Sequence, residues 1–125
     1  MTIHSPDLYC AALWDWGFLD DCFPGTRTRV SDIDGIVERK GRFLVIEAKG
    51  VNTRIPTGQL IMFEAMANKG MTVLIVWGNP NEPEQMQIWY PHRPYAEPAV
   101  PASVDDIRDV VRRWFNWASG IRGVR

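Results

Sequence analysis

Cysteine is scarce in this chain: Cys10 and Cys22 are the only two in 125 residues. Two thiols cannot make the disulfide framework of a small secreted domain, and a reducing compartment would keep them free. Histidine is equally scarce, with His4 and His92 far apart. No Cys/His cluster has zinc-ligand spacing, and the two isolated histidines argue against a Cys-His nucleophile. Long apolar runs are missing as well. None approaches the ~20 residues of a membrane span. The opening MTIHSPDLYC lacks the basic stretch followed by an apolar one that marks a secretory signal. The expected location is the cytoplasm, of a bacterium or a phage-infected cell, with no membrane partner. An excess of positive charge is absent too. The formal net charge is −1, which excludes a histone-like binder held by charge alone. Nine scattered prolines and no heptads exclude collagen-like and coiled-coil architectures.

What is present is an ordinary globular composition, 46% hydrophobic and 23% charged, which excludes disorder as a description of the whole chain. The length fits a single domain, 1–125. The charges are unevenly placed. Residues 1–38 carry seven acids and two bases, whereas residues 39–72 carry six bases and two acids. Such a split suits an enzyme whose acids hold a metal while its bases meet phosphate.

Residues 7–21 predict a buried helix, with Ser5 as cap, Pro6 in the first turn and Asp7 at the positive end. Phe23-Pro24-Gly25 ends it. Residues 28–38 and 42–49 predict two strands, rich in β-branched and bulky side chains. If Lys40-Gly41 is a two-residue turn, facing residues sum to 81. That register sets Asp34 opposite Glu47 and Asp32 opposite Lys49, all four on one face. Residues 57–69 predict a helix capped by Thr57 and stopped by Gly70. The run 71–78 predicts a strand buried on both faces, and 86–90 a further strand. Six prolines between Asn79 and Ser103 predict mostly turns and extended loop there. Residues 104–119 predict a final helix, opened by a Ser103/Asp106 capping box. Its apolar face runs through Val104, Ile107, Val110, Val111, Trp114, Phe115 and Ala118. The order α-β-β-α-β-(β)-α implies an α/β fold with a mixed sheet between helices.

Asp34, Glu47 and Lys49 carry the chemistry. Two carboxylates held side by side repel, and burying them is costly unless a cation neutralises them. Mg²⁺ suits such a site, because it takes a few carboxylate oxygens and leaves room for water and substrate phosphate. The backbone carbonyl of Ala48 is a further candidate ligand. Lys49, two residues from Glu47, emerges on the same face, where it can orient the attacking water or meet charge on a phosphate. Gln59 opens the following helix, whose free N–H groups favour anions. An isolated E-x-K is ordinarily a solvated ion pair. Here it ends an apolar strand, faces an acid and precedes a Thr-x-Gln helix start.

The string SDIDGIVERKGRFLVIEAKG, then TGQ, then MANKGMTVLIV, resembles the PD-(D/E)XK nuclease superfamily. It is most similar to small phage-type members, the VRR-NUC and Holliday-junction-resolvase-like groups. The resemblance covers residues 28–77 and implies a restriction-endonuclease-like fold. It further implies a Mg²⁺-dependent phosphodiesterase acting on DNA, an endonuclease preferring branched or junction DNA, with Mn²⁺ as a substitute. Asp34 matches the first acid, Glu47 and Lys49 match the (D/E)-x-K, and Gln59 matches the helix glutamine. The chain departs from the family in having Ile33 before Asp34, where proline is common, and no glutamate on the first helix. Asp32 competes as first acid, and Asp15 is the only mid-helix acid that can replace the missing glutamate.

Arg54, Arg29 and Arg42 are candidate phosphate contacts, Arg54 foremost because it lies between Lys49 and Gln59. Trp14, Trp16, Trp77 and Trp114 fit core faces. Trp89, Tyr90 and Tyr95 sit near the proline-rich stretch; packing or a homodimer contact explains them better than the stacking of bases. The alternative to a nuclease is a catalytically weak nucleic-acid-binding protein, or a phage interaction or inhibitor protein, on the same fold.

Overall fold

The computed structural model describes residues 13–93 and 95–120. The chain falls into two compact units, divided between Asp32 and Ile33. The described residues of the first are irregular apart from a 3₁₀-helix, Gly17–Cys22. The second holds β1 (Gly35–Arg39), β2 (Arg42–Lys49), α1 (Thr57–Asn68), β3 (Thr72–Asn79), β4 (Glu82–Trp89), β5 (Val100–Pro101) and α2 (Val104–Ala118).

The expected first helix is the main departure. Its start, residues 7–12, lies outside the described residues. Residues 13–16 are irregular, because Trp16 adopts a left-handed backbone (φ 61°) and the Asp15 carboxylate accepts the Gly17 N–H at 2.9 Å. Such a local side-chain bond competes with helical pairing. Trp14 and Trp16, expected in a core, are 68% and 37% exposed, and they cluster with Phe18.

The strands form one mixed sheet in the order β1-β2-β3-β4-β5. β2 and β3 are parallel and joined through α1, a βαβ crossover, while the other neighbours are antiparallel. The β1–β2 register pairs Arg39 with Arg42 and Gly35 with Ile46, as the two-residue turn requires. Lys40 (φ 51°) and Gly41 (φ 79°) both take positive φ, which a type I′ turn demands. β1 starts at Gly35 rather than 28. Val30 and Ile33 are exposed, so extending the strand would gain no burial.

Alternation along β2 and β3 divides the core. Val45, Val73, Ile75 and Trp77 pack with Phe63 and Ala67 of α1. Leu44, Leu74 and Ile88 pack with Trp114 and Ala118 of α2. Helices therefore cover both faces, as the continuous apolar run of β3 implied. The fold is α/β, a five-stranded mixed sheet flanked by helices.

α1 begins after Pro56, and Thr57 is its first residue rather than a side-chain cap. Gly70, at φ 97°, ends it, with its N–H and that of Met71 closing on Ala67 and Met66 carbonyls. The proline-rich stretch is more regular than expected. β4 spans eight residues, with Pro83 at the bulge beside Gly78, a place where a missing N–H breaks no ladder bond. Trp89 is buried against Phe63 rather than lining a loop. α2 has the expected capping box: Ser103 Oγ accepts the Asp106 N–H, and the Asp106 carboxylate accepts the Ser103 N–H. Phe115 and Val104 of its expected apolar face remain exposed.

Candidate functional site

Glu47 follows Val45 by two residues, so it points to the α1 face of the sheet. It is 3% exposed, although its carboxyl is ionisable. Asp34 stands one step beyond the last β1–β2 pair, opposite Glu47 in the register. Two hydrogen bonds lock the pair. The Asp34 backbone N–H donates to Glu47 Oε1 at 3.1 Å, and the Ala48 N–H donates to Asp34 Oδ2 at 2.8 Å. Each carboxylate thus accepts a bond from the other residue's segment, and Asp34 stands opposite Glu47 as the Lys40-Gly41 turn predicted.

Burial pushes the Glu47 carboxyl above the usual carboxylate range. The Asp34 N–H acts in the opposite direction. The nearby Asp34 charge raises it, Lys49 lowers it, and a hydrogen bond to the Asp34 carboxyl raises it further. A shared proton or a cation would ease the repulsion between the two carboxyls.

Lys49 emerges on the same face, half buried, and its Nζ donates to Gln59 Oε1 in the first turn of α1. The sheet and the helix therefore hold the ammonium together. Trp77, next to Lys49 in the parallel ladder, ties down the connecting loop by donating its indole N–H to the Thr53 carbonyl at 2.7 Å. Ile55 anchors the same loop in the core, leaving Arg54 exposed between them. This anchoring escaped the sequence reading, which assigned Trp77 only to the core. Its signal was the odd-number parity that Trp77 shares with Lys49 once β2 and β3 are paired.

Asp34, Glu47, Lys49 and Gln59 are brought together. Asp32, Asp15 and Arg29 belong to the first compact unit. Asp15 bonds the Gly17 N–H there. Arg42 has another role: it stacks over Trp117 and donates to the Trp117 carbonyl at 2.8 Å. Arg39 and Lys40 bond Ser119 beside it, so three cations meet the negative end of α2.

The oxygen donors suit a hard cation, which takes Asp and Glu carboxylates and a backbone carbonyl such as that of Ala48. Among the described residues no group of three or more His, Cys, Asp or Glu side chains gathers to hold a metal. Nor is any helix there long and apolar enough to cross a membrane. Comparison with protein-family models, with curated proteins and with solved structures found no match to this chain.

Proposed function

We propose that the chain is a Mg²⁺-dependent nuclease of the PD-(D/E)XK kind, hydrolysing phosphodiester bonds in DNA. The observation that carries this reading is the locked Asp34–Glu47 pair beside the Lys49–Gln59 pair. Asp34, Glu47 and the Ala48 carbonyl would hold the cation. When bound, it neutralises the acid pair and lowers the pKa of a coordinated water, with Mn²⁺ able to replace Mg²⁺. Glu47 and Asp34 supply the negative charge that retains it. Lys49 presents a compact cation to the scissile phosphate, where charge builds in the transition state. Gln59 is a positioning residue that holds the Lys49 ammonium on line. The first turn of α1, which has no side-chain cap, adds N–H groups that favour a phosphate oxygen. Arg54 extends the basic surface along the substrate backbone.

The absence of a third acid beside the pair, among the described residues, favours a second reading. In it the same site binds nucleic acid and cleaves it weakly. A labelled panel of duplex, single-stranded and branched DNA, with RNA alongside, tests both. Metal-dependent cleavage lost in Asp34→Asn and Glu47→Gln supports the nuclease. Binding without cleavage in Mg²⁺ and Mn²⁺ favours the second reading. Neither binding nor cleavage across the panel overturns both.

A further inference from the structure

β1 lies at one edge of the sheet and pairs on one side only, with β2. The two-residue Lys40-Gly41 turn makes Arg39 and Arg42 a hydrogen-bonded pair, and the pattern alternates from there. Gly35 and Val37 therefore direct their N–H and C=O groups to β2, while those of Ile36 and Glu38 point away from the sheet. Among the described residues no other segment bonds these outward groups.

Natural sheets guard such an edge with a proline, a bulge, a very short strand or outward charge. The opposite edge is guarded. β5 is two residues long and ends in Pro101, and the Glu97 and Ala102 N–H groups close on β4 carbonyls. β1 has no proline and no break in its register. Its charged side chains turn back on their own chain: the Glu38 carboxylate accepts the Gly41 N–H at 2.7 Å, and Arg39 lies over Phe115 and donates to Ser119. Ile36 and Val37, one on each face, remain 55% and 37% exposed.

The edge is also self-complementary. In antiparallel pairing about a twofold axis normal to the sheet, each face meets the same face, so even-numbered residues oppose even-numbered ones. An axis at Val37 sets Ile36 opposite the second copy's Glu38, and each such pair exchanges both of its free N–H···O bonds. The acidic start of one strand, Asp34, then comes opposite the basic turn of the other, Lys40. An axis at Glu38 would oppose two glutamates, and one at Ile36 would oppose Asp34 to Glu38. Both bring like charges together.

We propose that the free edge of β1 is a homodimer interface, at which two copies join about Val37 into one continuous sheet. The proposal needs no catalysis and stands independently of the nuclease reading.

The test is sedimentation equilibrium of the full chain over a concentration series. The wild type should show a monomer–dimer equilibrium. Ile36→Pro deletes an N–H that β2 does not use, so it should keep its circular dichroism and weaken dimerisation at least about tenfold. Cysteine variants in a Cys10→Ser/Cys22→Ser background carry the test if Ile36→Pro fails to fold. Val37→Cys should oxidise to a covalent dimer, because facing residues of a non-hydrogen-bonded pair stand about 4.5 Å apart at Cα, within disulfide reach. Ile36→Cys should cross-link far less, because its two copies lie diagonally, roughly 7–8 Å apart. A wild type still monomeric at about 1 mM, a dimer indifferent to a folded Ile36→Pro, or equal cross-linking of the two cysteine variants would overturn the proposal.

Discussion

Glu47→Gln should stabilise the metal-free protein while destroying its metal site. The glutamine keeps an oxygen where Oε1 accepts the Asp34 N–H, so that hydrogen bond survives. It removes the charge. Two carboxylates at a separation of about 4 Å repel by roughly 4 kcal/mol at an effective dielectric of about 20. Part of this is offset in the wild type, because the Asp34 N–H bonds a carboxylate more strongly than an amide and Lys49 attracts the Glu47 charge, leaving a net relief of about 1–2 kcal/mol. Unfolding entropy of about 2.1 cal/mol/K per residue over this chain converts that to a rise in Tm of about 4–8 °C. The pH dependence carries a sign of its own. Because the native Glu47 pKa is raised, the native state holds its proton more tightly than the unfolded state. Wild-type stability therefore falls as pH rises from the ordinary glutamate value, 4.5, through the raised native value. The gap between variant and wild type should vanish below that window and be full above it. Thermal melts in EDTA at pH 4 and pH 8 make the comparison. With Mn²⁺ at about tenfold above its Kd, linkage gives the wild type about 1.4 kcal/mol that the variant lacks. A variant less stable than wild type at pH 8 in EDTA, or a gap indifferent to pH, would refute the reasoning.

Lys49→Met should retain substrate binding in Ca²⁺ and lose roughly 10²–10³ in single-turnover rate in Mg²⁺, the effect of one well-placed charge-stabilising donor; affinity lost in proportion to rate would make Lys49 a mere phosphate contact. Thr72→Val removes a buried hydroxyl without a partner and should raise stability by about 1 kcal/mol in chemical denaturation. Ser103→Ala should cost about 1 kcal/mol through the lost cap of α2. The Asp106 carboxyl in that cap is held below the usual range by its bonds from Ser103, so its contribution is present above the ordinary aspartate value and is lost as pH falls through the native one, opposite in sign to Glu47. Arg54→Gln should weaken substrate affinity at low salt and lose its effect as salt rises.

The hairpin was legible because its turn chemistry is local. Lys40-Gly41 sets the register, the register opposes Asp34 to Glu47, and period two carries Lys49 to the same face. Gln59 was legible as the opening of the following helix, but its contact with Lys49 was not, since that depends on where α1 crosses the sheet. The described part of the expected first helix, from residue 13 on, was misjudged because apolar content around a helical wheel does not reveal a competing Asx bond, and Asp15 makes one to the Gly17 N–H. β4 was shortened in the reading because Pro83 counts as a strand breaker, and only the paired structure reveals the bulge that accommodates it. Arg42 looked like a phosphate contact because a lone arginine after a turn gives no sign of a distant partner. The carbonyl it meets, that of Trp117, lies 75 residues further on.

The most direct measurement of the central claim is calorimetric titration of Mn²⁺ into the wild type and into Asp34→Asn, Glu47→Gln and Asp32→Asn. The account predicts one ion per chain in the wild type, binding weakened at least about tenfold by loss of either charged ligand, and little change in Asp32→Asn. Undiminished binding in Asp34→Asn and Glu47→Gln, or its loss in Asp32→Asn alone, would contradict it.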